Sequence, residues 1–407
     1  MKSTTLLLLA ASPAFAGAPI TPAPLEAKAD PAWITPTFDI RARYEMADID
    51  GYDVSHALTV RERIGFKTSA WNGLSFVAEG EFSQALIDDY SSGPGKAVNT
   101  AGVDPFVKNN SFTFDPETNE LNQLYVQYAA FDTVVKIGRQ QIVYDKAAFI
   151  GDVIWRQNMQ TYDAVSITNK SIDGLTLSYA YVDQVNRIFG SSASGIFQDA
   201  PGELHLLNAS YTGIKGLTLG GYVYLMDFDE RAAMKWNNST YGLSAKGKLG
   251  DVELYGEAAY QDQAGDLNNK NAMYFHINAT KTFGKQSLTV GIEQLDAGFQ
   301  TPLSTVHAFN GFADATDVRR LDGTHGGLTD TYVTHVTPIF WGIKWANSLH
   351  FFGDNTIGAN LGFGADSVLT KKFDDHITAI IKIGYFDTSD KQYVSTTRAS
   401  FEVNYAF

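Results

Sequence analysis

From residue 36 onward, apolar and polar residues alternate along most of the chain. The clearest run is the last. There Phe401, Val403, Tyr405 and Phe407 alternate with Arg398, Ser400, Glu402 and Asn404. A period of two predicts a strand with one apolar and one polar face. Leu217, Leu219, Val223 and Leu225 repeat the pattern against Thr218, Gly220, Tyr222 and Tyr224. So do Val252, Leu254 and Tyr260 against Glu253, Glu257 and Gln261. Eighteen such segments are predicted: 36–47, 56–69, 73–84, 119–131, 133–143, 160–169, 174–184, 203–213, 216–227, 239–249, 251–262, 272–283, 286–297, 329–337, 341–352, 357–371, 376–387 and 394–407. Most have the length, about ten residues, that crosses a bilayer at a tilt.

The joins sort by length. Those after even-numbered segments are tiny, as at 70–72, 132, 250, 284–285 and 373–375. Those after odd-numbered segments include the long polar stretches 85–118, 144–159, 185–202 and 298–328. A soluble sandwich has no reason to sort its loops this way, whereas an outer-membrane barrel does. Ending on Phe407 would leave a soluble edge strand open to mispairing. Pairing with the first strand removes the edge. The expected fold is all-β, a transmembrane antiparallel barrel of about 18 strands of the outer-membrane porin type. Its terminal aromatic pattern resembles the signal that barrel-assembly machinery reads.

The N-terminus adds a route to that membrane. Lys2, an apolar run from Thr5 to Ala11 and Ala14-Phe15-Ala16 read as a signal peptide, residues 1–16. Residues 17–36 hold five prolines and read as a disordered or extended periplasmic leader, leaving 37–407 as one barrel domain. No stretch approaches the roughly 18 apolar residues of a spanning helix. With no cysteine, an exported chain of this size has no disulfide to lean on. A net charge of −14 argues against a nucleic-acid partner.

With the parity set, Asp39, Arg41, Arg43 and Glu45 face the lumen from the first strand, and Arg61, Arg63 and Lys67 from the second. Glu79 and Glu81 follow on the third, Arg398 and Glu402 on the last. Closure brings strands one, two and eighteen together, so these arginines share one wall. Clustered guanidinium groups in a confined lumen select anions, and carboxylates moderate them. The alternative is a paired charge ladder that only fills the wall. Three positions resist the parity. Glu62 points outward with no evident compensation. Lys281 lies near a strand end and can snorkel. Arg139 returns to the lumen if Gly138 is a bulge.

A resemblance joins these features. Leu121-Asn122-Gln123-Leu124-Tyr125-Val126, Gly138-Arg139-Gln140, Trp155-Arg156-Gln157-Asn158 and Thr161-Tyr162-Asp163-Ala164 are similar to the alginate export family of outer-membrane porins. So is the run from Thr301 to Asp314 followed by Gly327-Leu328-Thr329-Asp330. The resemblance implies a monomeric barrel passing anionic polysaccharide or small anions. It also implies that Arg139 and Arg156 line the constriction, with Arg61 and Arg63 as the paired arginines of the second strand.

The remaining chemistry is sparse. Asp88, Asp89, Asp104, Asp115 and Glu117, with the Asp227–Glu230 run, are either solvated loop acids or holders of cations bridging lipopolysaccharide. Phe149 to Gln160 is a candidate restricting loop, or packs on the strand ends. Eight histidines show no zinc-ligand spacing, and no nucleophile elbow or phosphate loop occurs. Neither metal nor cofactor nor enzymatic activity is expected. The expected function is passive passage of hydrophilic, anionic solutes or polysaccharide, with outer-membrane lipid as surroundings. A general or cation-tolerant porin, or a plugged structural or adhesive barrel, is the alternative.

Overall fold

The computed structural model describes residues 33–92, 109–191, 193, 197–229, 236–262, 271–305, 309–311, 313–316 and 326–407. The signal peptide and most of the leader expected at 1–36 lie outside the described residues, as do Asp104, Glu230, His307 and His325.

Eighteen antiparallel strands form one closed sheet. The first six are β1 (Ile34–Ile49), β2 (Ser55–Thr68), β3 (Leu74–Asp89), β4 (Thr118–Ala130), β5 (Thr133–Gln140) and β6 (Thr161–Asn169). Next come β7 (Leu175–Asn186), β8 (Ala200–Ile214), β9 (Leu217–Phe228), β10 (Asn238–Leu249), β11 (Val252–Asp262) and β12 (Ala272–Phe283). The last are β13 (Gln286–Leu295), β14 (Leu328–Pro338), β15 (Lys344–Gly353), β16 (Asn360–Lys372), β17 (Ile377–Asp387) and β18 (Thr396–Ala406). The strand count matches the alternation pattern. The ends differ: β1 starts at Ile34, inside the expected leader, β3 runs on to Asp89, and β5 stops at Gln140 rather than 143.

Closure is made by β1 and β18, in register from Asp39 opposite Ala406 to Ile49 opposite Thr396. Phe407 finishes the seam: its amide donates to Phe38 O at 2.9 Å, and the Phe38 amide donates to Phe407 O at 3.2 Å. No edge is left for mispairing.

Phe401, Val403, Ile381, Ile383, Leu243 and Ile277 are exposed on the outward face, as the alternation requires. At the short-turn end, large apolar residues stand exposed at or beside every turn: Trp71, Phe131, Ile172, Ile214, Leu249, Phe283, Trp341 and Phe373. Trp33 and Phe407 continue that ring at the termini. Aromatic girdles of this kind mark a barrel's interface with headgroups.

The inside is not a hollow tube. Residues 141–160, between β5 and β6, turn inward as a strap across the lumen. Parts of the β13–β14 connection, 296–305, 309–311 and 313–316, lie against it. Phe149, Ile150, Phe299 and Leu303 are buried there. Ile150 and Leu303 form an isolated parallel bridge.

Candidate functional site

The first inner wall follows from register. Arg41 stands directly opposite Arg61 on β2 and Asn404 on β18, and Arg43 opposite Thr59 and Glu402. Asp39 faces Arg63, and Arg63 faces Glu81 across the next pair. Facing side chains in such pairs are about 5 Å apart at Cβ. The predicted lumen positions on these strands all point inward.

Most of these charges neutralise one another. Glu45 accepts from three arginines: Arg43 Nη2 at 2.7 Å, Arg156 Nη1 at 3.0 Å and Arg398 Nη1 at 2.9 Å. Asp115 lies 3.5 Å from Arg156 and 3.8 Å from Arg43, and Asp314 lies 3.1 Å from Arg156. Three guanidinium groups thus meet three carboxylates. Burial works against the charge on Arg156, but Glu45, Asp115 and Asp314 more than offset it and leave its pKa above the ordinary value. Nearby, Arg63 pairs with Glu81 at 2.5 Å and Arg61 with Asp39, and Lys382 meets Glu402 at 3.1 Å. Glu79 accepts from Asn122 and Gln123 at 2.7 and 3.1 Å. Asn122 is the extra residue of a bulge on β4, which is why it and Gln123 reach the same carboxylate.

Arg41 differs in accessibility. Its side chain is 12% exposed, against 1% for Arg156 and 2% for Arg43. It donates to Asn404 Oδ1 at 2.6 Å and to the backbone carbonyls of Ile154 and Arg156 at 3.0 and 2.8 Å.

The strap explains why the arginines are buried. The stretch 149–160 does enter the lumen. Gln157 donates to Thr59 Oγ1 at 2.8 Å, and the Met159 amide to Glu81 Oε1 at 3.0 Å. Ser83 and Thr118 both donate to Asn158 Oδ1. At the other end, Phe149 packs against Tyr222, Tyr274 and Phe299, with ring centroids 5.2–5.9 Å apart. Lys146 reaches the far wall, donating to His276 Nδ1 at 2.9 Å and lying 3.4 Å from Glu257 and 3.7 Å from the Tyr255 ring centroid.

Arg139 corrects the sequence reading. Gly138 has φ +122°, but β5 pairs with β4 and β6 without a register shift, so there is no bulge and no change of phase. Gln140 is buried, while Arg139 shares the outward parity of Ile137, which is 57% exposed. It forms a two-pronged pair with Asp163, at 2.7 and 2.9 Å. Glu62 is outward, as expected, opposite Ile40 and Phe82, and no ion pair involves it among the described residues. Lys281 pairs with Asp251 at 3.1 Å near the short-turn end.

Sequence reasoning missed four participants. Asp115, grouped there with loop acids, is buried in the arginine cluster. Asp314 and Lys146 reach the lumen from connections, where alternation carries no signal. Lys382 was legible, since it shares the inward parity of its neighbours on β17, but was not singled out. Among the described histidines, His276 and His350 are buried in the lumen, and His350 Nδ1 lies 2.9 Å from Asp330. His56 and His205 face outward beside Tyr44 and Tyr179. Among the described residues, no group of three or more His, Cys, Asp or Glu could hold a metal.

No family model matches the chain, and no curated protein matches it. Solved structures do. The outer membrane protein opdK from Pseudomonas aeruginosa is similar at 12% identity with a TM-score of 0.66, covering 92% of this chain and 98% of that one. Acinetobacter baumannii OccAB4 gives 11% identity, a TM-score of 0.69 and the same coverage. The P. aeruginosa OpdK structure solved with vanillate matches at 12% identity and 0.66, over 91% and 98%. At such identities the likeness is one of fold: a closed 18-stranded barrel of the outer-membrane porin kind. The structures named are not alginate exporters, so the sequence resemblance to that family reaches no further than the barrel type.

Proposed function

We propose that this chain is an outer-membrane channel for small hydrophilic solutes, with a preference for anions, and not an enzyme. The observation that carries the reading is Arg41, a guanidinium partly open to the lumen on a wall whose other arginines are buried. A cation of this kind gives an anion weak binding, firm enough to admit it and loose enough to release it. That a structurally similar barrel was solved with vanillate, an aromatic carboxylate, is in keeping with this chemistry. Polysaccharide is the less favoured cargo, because the strap and its companion segments occupy the lumen. The acidic loop end fits a surface bridged to lipopolysaccharide by cations.

One observation favours a second reading. Arg43, Arg156 and Arg398 are balanced by Glu45, Asp115 and Asp314, so the wall carries little net charge. A weakly selective general porin would follow. Planar-bilayer reversal potentials in a salt gradient separate the two. Anion selectivity that falls in Arg41→Ala and is unchanged in Arg139→Ala supports the first reading. A cation-selective channel refutes it, and absence of any conductance would leave a plugged structural barrel.

A further inference from the structure

Three consecutive strap carbonyls are held by the wall. Arg41 Nη1 donates to Ile154 O and Arg156 O, and Arg43 Nη1 to Trp155 O at 3.0 Å. These acceptors are neutral amides. A carboxylate in the same place would accept charge-assisted hydrogen bonds, roughly twice as strong. Arg41 Nε also lies 3.7 Å from Glu402, beyond hydrogen-bond reach, so it is the Nη1 donor of Arg41, the most exposed of these arginines, that is occupied in the resting protein by weaker partners than the solute proposed above.

The same segment is strained. Val153 has φ +52°, a left-handed conformation that a β-branched residue rarely adopts. Strain of this kind persists only when surrounding contacts enforce it, and it collects at switch regions. Here the contacts are the packing of Val153 with Trp155, Ile188 and Phe189 and a set of hydrogen bonds. Asp152 Oδ1 accepts from the Ile154 amide at 3.3 Å, and Asp152 O accepts from the Gln160 amide at 2.6 Å. The Arg156 amide donates to Val153 O at 3.0 Å. On either side the strap is fixed, by the Ile150–Leu303 bridge and by the Gln157 and Met159 bonds to β2 and β3. Within the span, the Trp155 indole donates to Thr305 O at 2.8 Å and the Arg156 guanidinium is held by Glu45, Asp115 and Asp314, so the backbone of 152–154 is the part left to shift.

We infer that the carbonyls of Ile154 and Arg156 are place-holders for the solute: an arriving small monocarboxylate takes Arg41 from them, Val153 relaxes, and the span 152–154 moves to widen the passage. The channel is then gated by its own cargo. This rests on the anion-channel reading but goes beyond it, since a solute could bind Arg41 without moving the strap.

The test uses the full chain in detergent micelles, with benzoate as probe and chloride at equal ionic strength as control. Amide hydrogen exchange over 152–157 is read by mass spectrometry, and reversal potentials are recorded in parallel. The expected result is several-fold faster exchange with benzoate, no change with chloride, and no acceleration in β17 or β18. Glycine accepts φ +52° without strain. In Val153→Gly the benzoate-to-chloride ratio of exchange rates should therefore fall toward one, with anion selectivity retained. Unchanged or slower exchange with benzoate in a channel that is still anion-selective overturns the gating inference and leaves the channel reading intact. A Val153→Gly ratio equal to that of wild type overturns the role of strain. Loss of anion selectivity in the wild type would instead remove the premise.

Discussion

The wall built by β1, β2 and β18 and the wall built by β9 to β14 face each other across one lumen and grip the same strap. They grip it by different forces. On the first, Glu45 is shared by Arg43, Arg156 and Arg398, and backbone carbonyls of the strap accept from Arg41 and Arg43. On the second, Phe149 sits among Tyr222, Tyr274 and Phe299. Apart from Glu62 on the first and Lys281 on the second, the outward residues of both walls are ordinary lipid-facing side chains. A period-two strand uncouples its two faces, so the inner chemistry can change without altering the barrel. Each charge on the first wall depends on its neighbours, whereas the second relies mainly on volume and ring geometry, with one ion pair, Lys146–Glu257, beside them.

The sharpest way to break that contrast is Glu45→Ala. Removing one carboxylate leaves three buried guanidinium groups short of a partner, and breaking a buried ion pair from one side costs about 3–5 kcal/mol. Urea titration of the protein in micelles should show that loss, and it should exceed the loss from any other single charge change on this wall. Phe149→Ala attacks the other grip. Deleting a buried phenylalanine costs about 3–5 kcal/mol, toward the low end where neighbours can collapse into the space. Phe299 beside it lies on a connection and not in the sheet, so it can close into part of the space. The expected loss is thus about 3 kcal/mol, with higher single-channel conductance from a strap freed at that end. If Phe149→Ala proved costlier than Glu45→Ala, the first wall would be no more interdependent than the second.

The first wall was largely legible in the sequence and the second was not, for a physical reason. Inward arginines on β1, β2 and β18 follow from alternation, and the Phe407 ending points to closure. Alternation assigns a face, however, and says nothing of what comes in from a connection to meet it. Asp115, Asp314 and Lys146 all arrive that way. Tyr222 and Tyr224 were placed on the polar side of β9, but their role depends on Phe149, which lies far away in sequence. Arg139 was misplaced because a glycine in a strand suggests a bulge, and here Gly138 adopts φ +122° while the ladder runs on without a shift.

The smallest expected effect sharpens the comparison by giving the two ends of the strap opposite pH responses. Burial raises the Asp152 carboxyl above its ordinary 3.8, with the Gln141 hydrogen bond opposing in part. The folded strap therefore binds this proton more tightly than the unfolded chain does. Just above pH 3.8, its stability should rise as pH falls and decline as pH rises through the elevated value. At the far end, burial lowers the Lys146 ammonium below its ordinary 10.5, and Glu257 opposes in part. That proton is bound less tightly in the folded state, so just below pH 10.5 stability should increase with pH. Exchange protection of the Gly151 and Arg156 amides reads both windows, as ratios to Asp152→Asn and Lys146→Met that cancel the intrinsic pH dependence of exchange. The wild-type ratio to Asp152→Asn should grow on acidification, and the ratio to Lys146→Met should grow on the alkaline side. If both ratios moved the same way with pH, burial would not be what governs these two charges, and the strap would not be anchored in two distinct environments.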